Sequence, residues 1–209
     1  MFRKILVISC FALVCTLLCG YFYCAERYAA QQRAKLRCDR IDVVITNSHS
    51  QNFISEKEVA YWTDKQLQAT LPEGQKRGFA GAQAVVEAYK DKLHLFEPQS
   101  IEQMTELIPG VKSIASYGHT PGHTCYMVEN GGQRFFIWGD LINFPTVQVP
   151  HPEIATRHDI DPTQAAVSRA HVLSWLERQG ITVAGMHVPY PGMGQLTMTQ
   201  RGLELELLK

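Results

Sequence analysis

The feature that most constrains this chain is a trio of apolar, strand-like runs, each stopped by one side chain able to bind a metal. V111-K-S-I-A-S-Y117 leads through Gly118 to His119, R134-F-F-I-W138 leads through Gly139 to Asp140, and I181-T-V-A-G-M186 ends at His187. Runs of this length and composition form buried strands. If those strands are neighbours in one sheet, their C-terminal ends bring two imidazoles and a carboxylate to one edge, a donor set suited to Zn²⁺ or a similar ion. Taken singly, each residue has a plainer reading as a turn residue hydrogen-bonded within its own loop. Three such residues at successive strand ends favour the shared edge.

The rest of the chain supplies the layers around such a sheet. I41-D-V-V-I-T46 reads as a buried strand. Ser55 with Glu58 reads as a capping box opening a helix over 56–69, with Val59, Trp62 and Leu67 on its apolar stripe. Residues 71–78 read as a loop, and 79–93 as a second amphipathic helix using Phe79, Ala82, Val86 and Tyr89. Strands follow at 106–108, 111–117, 125–129 and 134–138. Asn130-Gly131-Gly132 marks a hairpin, because Asn-Gly supplies the positive φ angles such turns need. Asp161-Pro162-Thr163 opens a third helix that Gly180 stops, with Ala166, Val167, Ala170, Val172, Leu173 and Leu176 as its apolar side. Strand, two helices, antiparallel strands, helix, strand is the order of an α/β layered domain over 41–209.

The N-terminus is of another kind. Residues 5–23 contain no charged side chain and, as a helix, span about 28 Å, close to the thickness of a bilayer core. The bulky residues around L-L-C-G-Y-F-Y-C fit signal cleavage poorly, so a retained anchor over 1–24 is the favoured reading. The alternative is a signal whose removal leaves a periplasmic or secreted protein. Arg27, Arg33, Lys35, Arg37 and Arg40 form a basic linker over 25–40 and, against Arg3 and Lys4, put the folded part on the cytoplasmic side. An exported enzyme would show the opposite bias, so the side stays open. Cys10, Cys15, Cys19 and Cys24 belong to this apolar region, leaving Cys38 and Cys125, which allow one disulfide but no disulfide scaffold. With 20 Lys plus Arg against 20 Asp plus Glu, nothing suggests a nucleic-acid partner.

Together G118-H-T-P-G-H-T124, W138-G-D-L-I-N143 and G185-M-H-V-P-Y-P-G-M-G-Q195 resemble the third, fourth and fifth metal motifs of the metallo-β-lactamase superfamily, in the branch of methyl-parathion-hydrolase-like enzymes and lactonases. The resemblance covers roughly residues 41–209 and includes V147-Q-V-P-H-P-E153. It implies part of an αββα sandwich whose C-terminal half is well matched. It also implies that His119 binds a first zinc, Asp140 bridges two zincs and acts in catalysis, and His187 binds the second. His123 then packs or hydrogen-bonds behind the ligands. A metal-activated water would hydrolyse an ester, lactone or phosphotriester of small size. Tyr190, Met193 and Phe144, near the expected site in sequence, suggest a partly apolar pocket, with core packing as their other reading.

The sequence departs from that family where an HxHxDH motif is expected. N47-S-H-S-Q-N52 keeps only His49, a candidate fourth ligand, and amides replace the other donors, which makes one zinc as reasonable as two. The family's first strands have no counterpart before Ile41, so the chain reads as a family member truncated or deleted in its N-terminal half. A half sandwich leaves apolar sheet uncovered, which calls for a homo-oligomer, another partner or a membrane. The second functional reading is therefore a membrane-anchored, catalytically impaired derivative that keeps at most one metal.

Overall fold

The computed structural model of the chain describes residues 52–208, which fall into two compact units divided after Phe96. The apolar span 5–23, the basic linker, the strand expected at 41–46 and His49 lie outside the described residues. Among the described residues no helix is long and apolar enough to cross a membrane.

The first unit begins with β1 (Asn52–Ser55), which runs directly into α1 (Glu56–Thr63) and pairs in parallel with β2 (Leu93–Phe96). The single helix expected over 56–69 is two, because Asp64 leaves helical geometry. Its Oδ1 accepts the N–H groups of Gln66 and Leu67 at 2.9 Å each and so caps α2 (Lys65–Thr70). Aspartate competes for its own backbone in this way and is better placed at a cap than inside a helix.

The capping box expected at Ser55 is not made as such. Ser55 occupies the N-cap, but its side chain makes no capping bond, while the buried Glu58 accepts the Trp62 indole N–H at 2.6 Å. The loop expected over 71–78 is mostly helix, since α3 (Glu73–Tyr89) starts behind Pro72. Gly78, which weakens helix propensity, is there for contact: a Cβ would sit 3.3 Å from the Trp62 ring. Trp62, Phe79 and Ala82 form the small core of this unit.

The second unit is a seven-stranded sheet in the order β3-β4-β5-β6-β7-β8-β9. Its strands are β3 (Thr105–Ile108), β4 (Val111–Ala115), β5 (Thr124–Asn130), β6 (Gln133–Ile137), β7 (Thr182–Ala184), β8 (Met193–Thr199) and β9 (Gly202–Leu207). All neighbours are antiparallel except β6 and β7, which are parallel, with the short α4 (Pro145–Gln148) and the long α5 (Pro162–Gln179) in the connection between them. In the β5–β6 hairpin Asn130 still pairs with Gln133. The positive φ angles belong to Gly131 and Gly132 rather than to the asparagine.

The last two strands had no counterpart in the sequence reading. Leu203, Leu205 and Leu207 alternate with charged residues on β9 and pack against the core of Phe136, Trp138, Val172, Leu173, Leu176 and Val183. Cys125 is a free, buried thiol.

Helix α5 begins and ends as the sequence predicts. Asp161 accepts the Gln164 N–H at 2.9 Å, and Gly180 closes the helix with φ 61. Its buried face, however, is Ala165, Arg169, Val172, Leu173 and Leu176, whereas Val167 is 60% exposed. Arginine marks a solvated face in any hydropathy pattern, and here it sits at the centre of the buried one. That rotates the true stripe away from Val167 and Ala170.

Candidate metal centre

Strands β4 and β6 run in the same direction because each is antiparallel to β5, and β7 is parallel to β6. The C-terminal ends of β4, β6 and β7 therefore lie at one edge, together with the start of β5. His119 and His123 stand in the loop from β4 to β5, Asp140 in a short 3₁₀ turn (Gly139–Leu141) after β6, and His187 in the loop after β7. The three strand-end residues meet although β4 and β6 are not adjacent.

The β4–β5 loop is pinned from two sides. Internally, Ser116 N–H donates to His123 O at 3.0 Å and Gly118 N–H to Thr120 O at 3.0 Å. Externally, the N–H groups of Ile160 and Asp161 donate to His119 O and Gly118 O at 3.1 and 2.9 Å, which fastens the loop to the start of α5. Gly118 has φ 126, and a Cβ there would lie 2.1 Å from Ala165 N. Only glycine lets the loop approach the helix backbone this closely.

Asp140 is the hub. His119 Nε2 lies 3.5 Å from its Oδ2 and His187 Nε2 lies 3.2 Å from its Oδ1. Asp140 and His119 are buried, whereas the His187 side chain is 45% exposed. Burial would raise the Asp140 pKa, but the His119 and His187 imidazoles outweigh it and hold the carboxyl at about 2. Burial would likewise pull His119 down, but hydrogen bonds to Asp140 and Asp159 outweigh it and hold the imidazole at about 9.

His123 plays another part. Its Nε2 accepts the Asp140 backbone N–H at 3.1 Å, and its Nδ1 faces Ser116 Oγ at 2.7 Å and Ser116 O at 3.1 Å. Both ring nitrogens are thus used within the fold. Burial, with the neighbouring His119, holds its pKa down at about 4, so the ring is neutral.

Two residues that the sequence reading passed over complete the cluster. Asp159 Oδ1 lies 3.0 Å from His119 Nδ1, and Asp159 Oδ2 lies 3.2 Å from a terminal nitrogen of Arg169. Arg169 is fully buried. The signal that could have found it is a charged residue four positions after Ala165, on the stripe that continues to Val172, Leu173 and Leu176.

The donor set fits one divalent ion. Two imidazole nitrogens face opposite oxygens of one buried carboxylate, and Asp140 Oδ1, with negligible exposure, faces His187 Nε2 at 3.2 Å without an aligned hydrogen bond. A buried carboxylate between two imidazoles is chemistry that a cation satisfies. The spacing is that of ion pairs, however, and among the described residues no three His, Cys, Asp or Glu side chains are grouped for coordination. Asn52, at the last position of N47-S-H-S-Q-N52, is buried in the first unit with its Nδ2 unpartnered. Of the residues proposed for a substrate pocket, Tyr190 is 96% exposed and Phe144 58% exposed, while Met193 opens β8 opposite Ala184.

No protein-family model matches the sequence, and no curated protein does. Solved structures do match. AidC, described as a dizinc quorum-quenching lactonase and solved with the product N-hexanoyl-L-homoserine, is 24% identical with a TM-score of 0.67; the match covers 78% of this chain and 56% of AidC. The hydrolase AbOPH of the β-lactamase superfamily is 25% identical with a TM-score of 0.66, over 78% of this chain and 56% of AbOPH. A probable metal-dependent hydrolase from Staphylococcus aureus is 20% identical with a TM-score of 0.54, over 77% of this chain and 52% of that one. The chain spans little more than half the length of these relatives.

Proposed function

From a chain that carries part of the metallo-β-lactamase fold, among hydrolases of that superfamily, we infer a metal-dependent hydrolase whose ion is held by His119, Asp140 and His187. The observation that carries this reading is Asp140: buried, ionised, and flanked on its two oxygens by two imidazole Nε2 atoms. Zinc suits a set of two histidines and one carboxylate with a fourth position open. When bound, it would polarise the scissile carbonyl or phosphoryl oxygen and acidify water.

The chain's own residues prepare that chemistry. His123 holds the Asp140 backbone by accepting its N–H, so the carboxylate projects from a fixed turn. His187, half exposed, opens the cluster to solvent. The substrate class proposed is an ester, lactone or phosphotriester, with Tyr190, Phe144 and Met193 as its apolar surroundings. His49 is kept as a further ligand, and residues 5–23 as a membrane anchor that resists alkaline carbonate extraction.

The second reading, an impaired one-metal derivative, rests on Asn52, since a carboxamide is a poor zinc ligand. One measurement divides the two. Purified full chain is stripped of metal, titrated with Zn²⁺, and assayed with an acyl-homoserine lactone, a p-nitrophenyl ester and a phosphotriester. Zinc uptake with turnover supports the hydrolase, and one equivalent without turnover supports the derivative. No uptake sinks both.

A further inference from the structure

We propose that Asp159 and Arg169 form a buried positioning pair that decides which nitrogen of His119 faces Asp140. An imidazole offers a lone pair from one nitrogen only, and the partner of the other nitrogen selects which. His119 Nδ1 lies 3.0 Å from Asp159 Oδ1. Ionised carboxylates only accept, and both nitrogens face one. The contact of Nδ1 to Asp159 at 3.0 Å is shorter than that of Nε2 to Asp140 Oδ2 at 3.5 Å, so in the neutral ring Nδ1 keeps the proton and Nε2 offers its lone pair on the Asp140 side. Carboxylates behind ligating histidines act in this way in metal sites generally.

A carboxylate as buried as Asp159 needs compensation, and both sides of it are used. While Oδ1 takes His119, Oδ2 accepts the Thr156 N–H at 2.9 Å and a guanidinium N–H of Arg169 at 3.2 Å. The guanidinium is itself fully committed to the interior. Its Nε donates to Leu141 O at 2.8 Å, and a terminal nitrogen donates to Pro152 O and Ile154 O at 2.8 and 3.0 Å.

Leu141 follows Asp140 directly. One buried cation thus ties the segment bearing Asp140 to the carboxylate that orients His119, and it does so from the middle of α5. The same helix carries the docking point for Gly118, and Ser168 Oγ donates to Tyr117 O at 2.7 Å. A buried ion pair is weak evidence of stabilisation, because apolar residues of similar volume often serve as well. Its connections to both strand-end segments point instead to orientation of the site.

Asp159→Asn tests this with a defined geometric outcome. Thr156 N–H and Arg169 still need an acceptor, so the amide oxygen stays on their side and its NH₂ faces His119 Nδ1. That nitrogen must then accept, and the proton moves to Nε2.

Long-range ¹H–¹⁵N spectra of the metal-free, histidine-labelled full chain are recorded where the ring is neutral. We expect Nδ1–H for His119 in the wild type and Nε2–H in the variant, with the His123 signals unchanged. Zinc affinity should fall 10- to 100-fold in Asp159→Asn. Arg169→Lys, which keeps the charge without the fork, should retain Nδ1–H while weakening zinc less.

A wild-type His119 with Nε2–H overturns the proposal even if the variant fails to fold, and so does an unchanged tautomer in a folded variant. The zinc part rests on the metal reading, but the tautomer does not. A switched tautomer in a chain that binds no zinc would remove the metal reading alone, whereas normal zinc uptake with an unswitched tautomer would remove this one alone.

Discussion

Replacing Gly118 by alanine isolates what holds the His119 loop in place. The new Cβ would fall 2.1 Å from Ala165 N, 2.4 Å from Ala165 Cα and 2.7 Å from Gln164 C. All three atoms belong to the backbone of the first turn of α5, so no rotamer change relieves the contact. The turn cannot retreat freely either, because Ala165 N–H donates to Asp161 O at 2.9 Å. Overpacking of this kind costs about 1–3 kcal/mol, and the positive φ of Gly118 adds about 1–2 kcal/mol. Gly118→Ala should therefore lose roughly 2–5 kcal/mol of unfolding free energy.

Gly131→Ala is the matched control in the same unit. Its φ is 56 and nothing lies within 4 Å of the added Cβ, so only the conformational cost applies, about 1–2 kcal/mol. Urea unfolding of both full-length variants, followed by circular dichroism, gives the difference directly. If Gly118→Ala lies within about 0.5 kcal/mol of Gly131→Ala, a spread ordinary for neutral substitutions, the close approach of loop and helix is not what constrains this position.

Further outcomes are expected elsewhere. In metal-free protein the His119–Asp140–Asp159 cluster should stabilise the fold most between the ordinary carboxylate and imidazole pKa values. His119, raised to about 9 from 6.5, gives its contribution in full below pH 6.5 and loses it as pH climbs through 9, roughly 3 kcal/mol in all. Asp140, lowered to about 2 from 3.8, loses the same interaction from the acid side. Denaturation midpoints that stay flat from pH 6.5 to 9 would contradict this assignment.

His123→Gln should cost about 1–3 kcal/mol through the unpaired Asp140 N–H and Ser116 groups, yet keep the wild-type zinc stoichiometry; loss of one equivalent would make His123 a ligand. Asp64→Ala should cost about 1 kcal/mol by uncapping α2. Ser55→Ala, which removes a buried hydroxyl without a partner, should be neutral or stabilising in the same melts.

The sequence by itself determined the parts of this protein that depend on local chemistry. Alternation and β-branched runs located the central strands, Asp161 and Gly180 bounded α5, and the strand-end positions of His119, Asp140 and His187 were readable because a strand must stop before a loop can present a side chain. The helix break at Asp64 was also written there. It was missed because the surrounding residues are good helix formers, and a cap is recognised only by the bond it makes.

Only the tertiary structure decided what depends on contacts across the fold. The antiparallel β5 brings β4 and β6 to end at one edge, which no spacing along the chain encodes. Arg169 reads as a solvated charge until Asp159 and three backbone carbonyls are seen to surround it. Burial of a charge is permitted by its partners, and those partners lie 10 to 28 residues away in sequence. The same holds for the two histidines of G118-H-T-P-G-H-T124. Their residue type is identical, and only the groups facing their nitrogens make one a neutral support and the other a candidate ligand.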